Sequence, residues 1–256
     1  EVCSMDMFGV TRLIGLAFAF MAIPSSSSVV NVGCIGVGSV CEIKSLPGIY
    51  KNPRVSVVAL ARRDEAALSD YVSRHPMVSS STLFTGSKSG KDLISFMTKM
   101  KEEDEGGNQY IVYVATPVST HASMAELCGE NGLHCYCEKP LSLDSQSCQT
   151  LLPNFTTSNL YCAYYRRYLP KFVSIKTIGL PKIGEVTGVM VTLRQRRHKM
   201  DEDRKRHWHF DKEVSGGGLV MDLGSHVFDI VDHLLGPMLD VVGVCSRTTE
   251  ESPGGG

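Results

Sequence analysis

The stretch CIGVGSVCEIK, residues 34–44, leaves an apolar run of Val29, Val30, Val32 and Ile35 and places Gly36 and Gly38 two apart. Cys41 stands where a third glycine would complete a G-x-G-x-x-G turn. A glycine turn between a strand and a helix lets backbone N–H groups approach a pyrophosphate, and the helix N-terminus then stabilises the phosphate charge. Gly36 and Gly38 hold the phosphate-contact positions and Ser39 and Val40 carry the turn into the helix. Cys41 falls at the packing position, where a small residue is a tolerable departure. Alone, the glycine pair is a weak signal, because glycine turns after strands are common.

Its surroundings strengthen it. Downstream of the serines at 25–28, short β-branched runs alternate with helical ones. Strands are predicted at Val30–Ile35, Val55–Ala61, Tyr110–Ala115, His134–Cys137 and Leu160–Tyr164. Helices are predicted in DEAALSDYVSRH (64–75), GKDLISFMTKMK (90–101) and THASMAELCGEN (120–131). Such alternation predicts an α/β fold, a doubly wound and mainly parallel sheet covered by helices. KEEDEGGN, residues 101–108, reads as a solvated loop.

The second strand runs into Arg62-Arg63-Asp64. Dinucleotide folds end this strand with an acidic residue for the ribose hydroxyls of NAD, or with arginine for the 2′-phosphate of NADP. Guanidinium forks suit a phosphate dianion, so NADP is expected over NAD, which stays open. The competing reading is two solvated arginines at the start of a helix.

Bulk properties exclude other classes. The chain has 256 residues, 43% hydrophobic and 21% charged, enough for a real core in one large domain or two smaller ones. Its net charge is −1 with dispersed basic residues, so neither nucleic acid nor an anionic membrane surface is an expected partner. Nine cysteines, an odd number without a Cys-x-x-Cys pair, suit reduced core thiols in a cytoplasmic compartment. His134, Cys135 and Cys137 lack a fourth ligand at useful spacing, so no metal is expected. LIGLAFAFMAI, residues 13–23, is too short to span a bilayer but has the length of a leader's apolar core, which keeps an organellar or secretory leader open.

Four further stretches are VATPVSTH (114–121), CEKPLSLD (137–144), AYYRRYLPKF (163–172) and GGGLVMDLGSHVFDIVDHLLG (216–236). In order and spacing they resemble the Gfo/Idh/MocA oxidoreductases, the family of glucose-fructose oxidoreductase and inositol dehydrogenase. The resemblance runs over about residues 29–245. Beyond the leader or extension at 1–28, it implies an NAD(P)-binding Rossmann domain at 29–163 and a C-terminal α/β domain at 164–256 for substrate and homo-oligomer contacts. It also implies residue roles. Thr116 and Pro117 would lie near the cofactor, and His121, on the following helix, would contact it as well. Glu138 would approach the nicotinamide ribose, Lys139 would contact the reacting hydroxyl, and Asp222 and His226 would form the Asp-x-x-x-His catalytic pair.

Helical spacing bears on that pair independently. At about 100° per residue, Asp222, His226, Asp229 and His233 share one stripe, beside an apolar face of Val220, Leu223, Val227, Ile230, Val231 and Leu234. A carboxylate one turn from an imidazole favours the imidazolium and fixes its orientation. Without the Glu-Lys-Pro segment, an ordinary surface helix with i, i+4 ion pairs would explain the same stripe.

The chemistry so implied is hydride transfer between a nicotinamide and a secondary alcohol or carbonyl of a sugar, polyol or related small molecule. His226 exchanges the hydroxyl proton and Lys139 stabilises developing alkoxide charge. Two alternatives stand beside it: a catalytically inactive NADP-binding regulator, and a glycosidase with a retained NAD. Tyr164, Tyr165, Arg166 and Arg167 either shape the substrate entrance or pack between domains. RRHKMDEDRKRHWHF (196–210) reads as a charged loop whose histidines, His198, His207 and His209, are solvated. After it the chain offers only GEVTGVMVTLRQ (184–195) and DVVGVCSRTT (240–249) as strands, so a truncated open sheet is expected.

Overall fold

A computed structural model describes residues 28–192, 211–216 and 220–243. The leader-like segment through residue 27, residues 193–210 with the whole charged loop and the end of the first predicted C-terminal strand, residues 217–219, and residues 244–256 with most of the second predicted strand and the glycine-rich end lie outside the described residues.

Six strands form one sheet: β1 (Val30–Ile35), β2 (Val55–Ala61), β3 (Thr82–Phe84), β4 (Gln109–Val114), β5 (His134–Cys137) and β6 (Leu160–Cys162). Their order is β3-β2-β1-β4-β5-β6 and every pairing is parallel. The order reverses between β1 and β4, where Ile35 pairs with Val114. In such sheets the crevice beyond the carboxyl ends of the two strands at the reversal is the ligand seat.

The helices follow from local signals. After β1, a wide turn at Cys41–Ser45 runs into α1 (Leu46–Ile49). The carboxylate of Asp64 accepts the Ala67 N–H at 3.0 Å and so caps α2 (Glu65–Arg74), satisfying a donor the helix cannot. In α3 (Ser89–Glu102), Leu93, Ile94 and Met97 recur on one face and are buried. α4 (His121–Glu130) follows β4, and Asp144 caps α5 (Ser145–Leu151) through the Ser147 N–H at 2.8 Å. Pro170 opens the short α6 (Pro170–Ser174), α7 (Leu180–Ile183) follows it, and α8 is Lys212–Ser215. A wide turn, Val220–Gly224, precedes α9 (Ser225–Leu235), which Gly236 ends at φ +97°.

Alternation along the strands sends side chains to both faces of the sheet. Val30, Val32, Cys34, Leu60, Ile111 and Tyr113 pack with Leu46, Ile49, Leu68 and Tyr71 of α1 and α2. On the other face Ile35, Ala59, Val112, Val114 and Cys135 meet Leu93, Ile94 and Met97 of α3, with Ala125 and Cys128 of α4. A methyl group on Gly33 would stand 2.8 Å from Leu93, so this glycine lets α3 seat against β1.

Five strands predicted from the sequence are present, within two residues at each end. β3 was not predicted: it is three residues long and pairs only with β2, too little pattern to see in isolation. The C-terminal strands fare differently. Residues 186–192 and 236–243 contain no strand, and Met190, Leu239 and Val242 are more than nine-tenths exposed. A strand is defined by its ladder partner, and among the described residues these stretches have none. Among the described residues no helix is long and apolar enough to cross a membrane.

Candidate functional site

At the end of β1 the two glycines serve different ends. Gly36 has φ +86°, and a Cβ there would stand 2.6 Å from the carbonyl oxygen of Ala115 and 2.8 Å from the Thr116 nitrogen. Its N–H donates to Ala61 O at 2.9 Å, so the turn is wedged between the exits of β2 and β4. Gly38 faces open room: a Cβ would find only Gly36 O, at 3.8 Å. Its carbonyl accepts the Glu42 N–H at 2.9 Å, starting the helical run immediately behind the turn, while Ser39 and Val40 stay exposed at its crest. Cys41 does more than fill the third-glycine position. Its buried thiol donates to Gly36 O at 3.5 Å, and burial pushes its pKa up to about 12.

Arg62 folds back from the end of β2 and donates through Nη1 to Val37 O at 2.9 Å, bracing the glycine turn. Arg63 is exposed. Because Asp64 is engaged as the α2 cap, two guanidinium groups and no uncommitted carboxylate stand at residues 62–64.

Beyond β4, Thr116 and Pro117 are half-buried, and Thr120 Oγ1 donates to Thr116 Oγ1 at 2.7 Å. His121 differs from expectation. The ring is fully buried and both nitrogens sit 2.8 Å from backbone carbonyls, Nδ1 from Pro140 and Nε2 from Thr116. The buried ring exposes no atom to a cofactor, against the contact expected of His121; it sits instead between two loops, and the single N–H of its neutral form donates to one of the two carbonyls. Burial pulls its pKa below the ordinary value, against the two carbonyls that raise it.

At the β5 exit, Glu138 is turned towards the sheet. Oε1 accepts the Tyr113 hydroxyl at 2.7 Å, and that hydroxyl lies 2.6 Å from Ser45 Oγ. The Lys139–Pro140 peptide is cis. Lys139, its side chain 15% exposed, donates Nζ to Asp222 twice: to Oδ1 at 2.5 Å and to the backbone carbonyl at 2.7 Å.

The stripe predicted for the last helix divides among five partners. Asp222 meets Lys139; His226 lies edge-on to the rings of Tyr164 and Tyr165, with centroids 6.1 and 5.2 Å away; Asp229 pairs with Arg167; His233 Nδ1 is 3.5 Å from Lys176 Nζ. The wide turn at Val220–Gly224 accommodates an extra residue before α9, so Asp222 is exposed while His226 and Asp229 are buried. The expected apolar face is mostly half-buried, and Val220 is exposed; burial goes instead to His226 and Asp229, together with Ile230. This corrects the expected protonation. Asp222 is committed to Lys139, and His226 is pushed down to about 3 by burial and by the charges of Lys139, Arg166 and Lys44, with Asp222 opposing. His226 is therefore a neutral imidazole at neutral pH, the form that accepts a proton. Among the described residues its Nδ1 has no hydrogen-bond partner, and neither has Asp229 Oδ2.

The structure thus brings Lys139, at the β5 exit, to Asp222 of the turn ahead of α9, with His226 one turn further along and facing Tyr164 and Tyr165. Sequence reasoning did not single out Tyr113 and Ser45, which are hydrogen-bonded in line to Glu138 beside Lys139. The only available signal was a polar tip in the apolar strand QYIVYV. Trp208 and His198, His207 and His209 lie outside the described residues.

Two family models match this chain. One, an oxidoreductase family with an NAD-binding Rossmann fold, covers residues 30–165; the other, the GFO/IDH/MocA C-terminal domain, covers residues 178–255. The chain is similar to oxidoreductase P35 of Formosa agariphila, 31% identical over 83% of this chain and 62% of that protein. It is also similar to inositol 2-dehydrogenase of Rhizobium meliloti, 32% identical over 49% of this chain and 36% of that protein. Among solved structures, the WlbA dehydrogenase from Bordetella pertussis in complex with NADH and UDP-GlcNAcA superposes with TM-score 0.65 at 20% identity, over 84% of this chain and 57% of that one. At that identity the likeness is one of fold. The chain spans 62% or less of the length of these relatives.

Proposed function

The chain belongs to the Gfo/Idh/MocA oxidoreductase family, and on that premise we propose that it moves a hydride between a nicotinamide cofactor, NADP in preference to NAD, and a secondary alcohol or carbonyl of a sugar or polyol. The observation that carries the reading is the Lys139–Asp222 contact, made one turn from a buried, neutral His226. We assign the cofactor to residues 29–163 and the substrate side to residues 164–256.

The residues present fit the dinucleotide. The open side of Gly38 admits close approach of a pyrophosphate, with Gly36, Ser39 and Val40 completing the turn, and Arg62 and Arg63 offer guanidinium groups suited to a 2′-phosphate. Thr116, Pro117 and Glu138 line the nicotinamide half. When bound, the nicotinamide supplies the hydride chemistry. The chain supplies the rest. Neutral His226 takes the hydroxyl proton as the alcohol is oxidised and returns it in the reverse direction. The Lys139 ammonium stabilises developing alkoxide charge, and Asp222 orients it.

The test is turnover of a polyol and sugar panel by the purified chain with NADP and with NAD, followed by the near-ultraviolet absorbance of the reduced ring. Turnover that is lost in Lys139→Ala and His226→Ala is expected. Turnover that survives both substitutions overturns the roles, and tight cofactor binding without turnover favours a regulator.

A further inference from the structure

Each residue of the segment Glu138-Lys139-Pro140 is held by an anchor. Tyr113, fully buried on β4, donates its hydroxyl to Glu138 Oε1 at 2.7 Å and is itself 2.6 Å from Ser45 Oγ, at the end of the turn behind the glycines. The other oxygen of Glu138 accepts the Lys139 N–H at 3.3 Å. His121, fully buried on α4, sets Nδ1 2.8 Å from the Pro140 carbonyl and Nε2 2.8 Å from that of Thr116. Between these anchors Lys139 reaches out to Asp222.

Neither Tyr113 nor His121 has any exposed surface, so what they do is done inside the protein. A buried hydroxyl or imidazole needs partners, and a partner can be supplied anywhere in a core. Here the partners fall on the flanks of Lys139, on the loop facing it and, through Ser45, on the run behind the glycine turn. We infer that Tyr113 and His121 are positioning residues that fix the backbone of Lys139 from both sides, with Ser45 linking that segment to the helical run behind the glycine turn. The inference rests on the proposed role of Lys139, but the placement of that lysine can be read without turnover.

The experiment compares the full chain with Tyr113→Phe, which deletes one oxygen and keeps the ring, and with His121→Gln. Tyr71→Phe serves as control: it removes a buried hydroxyl from the same face of the sheet, one paired with Tyr50 and remote from the segment. The first readout is the rate at which acetic anhydride acetylates Lys139, followed by peptide mass spectrometry. A several-fold rise in Tyr113→Phe and in His121→Gln, absent in Tyr71→Phe, is expected as the lysine loosens from Asp222. The second readout is kcat, expected to fall about tenfold to a hundredfold with KM and cofactor Kd nearly unchanged. Wild-type acetylation rates in both variants overturn the inference, as does a rise of equal size in the Tyr71→Phe control. Should His121→Gln fail to fold, Tyr113→Phe decides alone. If acetylation rises but the wild-type chain turns over no substrate, the positioning stands and the oxidoreductase reading is what fails.

Discussion

Lys139 Nζ spans 83 residues of sequence to meet both the carboxylate and the backbone carbonyl of Asp222, at 2.5 and 2.7 Å. The double contact joins the exit of β5 to the turn ahead of α9. Asp222→Asn keeps an acceptor oxygen and removes the charge. Turnover should therefore fall about tenfold to a hundredfold, less than the hundredfold to thousandfold loss expected of Lys139→Ala. Steady-state kinetics checks the order, and cofactor binding should stay near wild type in both.

The glycine turn separates conformation from contact. Gly36→Ala places a methyl group against the backbone of Ala115 at a φ of +86°. Strain of about 1–3 kcal/mol before any clash should lower the urea midpoint sharply. Gly38→Ala has an ordinary φ and open space, so it should unfold like the wild type yet bind NADP at least about tenfold more weakly, because the methyl fills the approach.

Arg62 offers a choice between cofactor readout and simple bracing of Val37 O. Charge-assisted hydrogen bonds contribute about 1.5–3 kcal/mol, so Arg62→Ala should weaken NADP about tenfold or more while leaving NAD nearly unchanged. Equal losses for both cofactors, measured by calorimetric titration, would reduce Arg62 to a brace.

His226 should make stability depend on pH. Its folded pKa, about 3, lies below the ordinary 6.5, so on acidification the unfolded chain takes up its proton first. The stability of the buried neutral ring is fully present above about pH 6.5 and is lost as pH falls towards 3, at up to about 1.4 kcal/mol per unit. His121, His134 and His233 shift in the same direction. Chemical denaturation at several pH values should show a shallower acid loss in His226→Gln than in the wild type. Identical slopes would contradict the buried placement.

The pair of Arg167 with buried Asp229 ties the segment after β6 to α9. Arg167→Met strands a buried carboxylate, at a cost of about 3–5 kcal/mol. Adding Asp229→Leu should recover most of that loss in thermal unfolding, since two apolar side chains leave no charge behind. A double variant as unstable as the single one would show that the ion pair is not what joins these elements.

The alternation of β-branched and helical runs was enough to place five of the six strands and the glycine turn at the sheet's reversal. These features are local: strand periodicity, helix caps and the steric demand at Gly36 are written within a few residues of where they act. The sequence alone also marked Lys139, Asp222 and His226. It did not reveal that Asp222 would serve Lys139 rather than His226, that both nitrogens of His121 would face carbonyls, or that Tyr113 would hold Glu138. It also favoured an imidazolium where the folded chain keeps a neutral ring. Such outcomes belong to tertiary structure, because hydrogen-bond partners and desolvation come from segments far apart in sequence, and the protonation of a buried ring depends on every charge and wall around it.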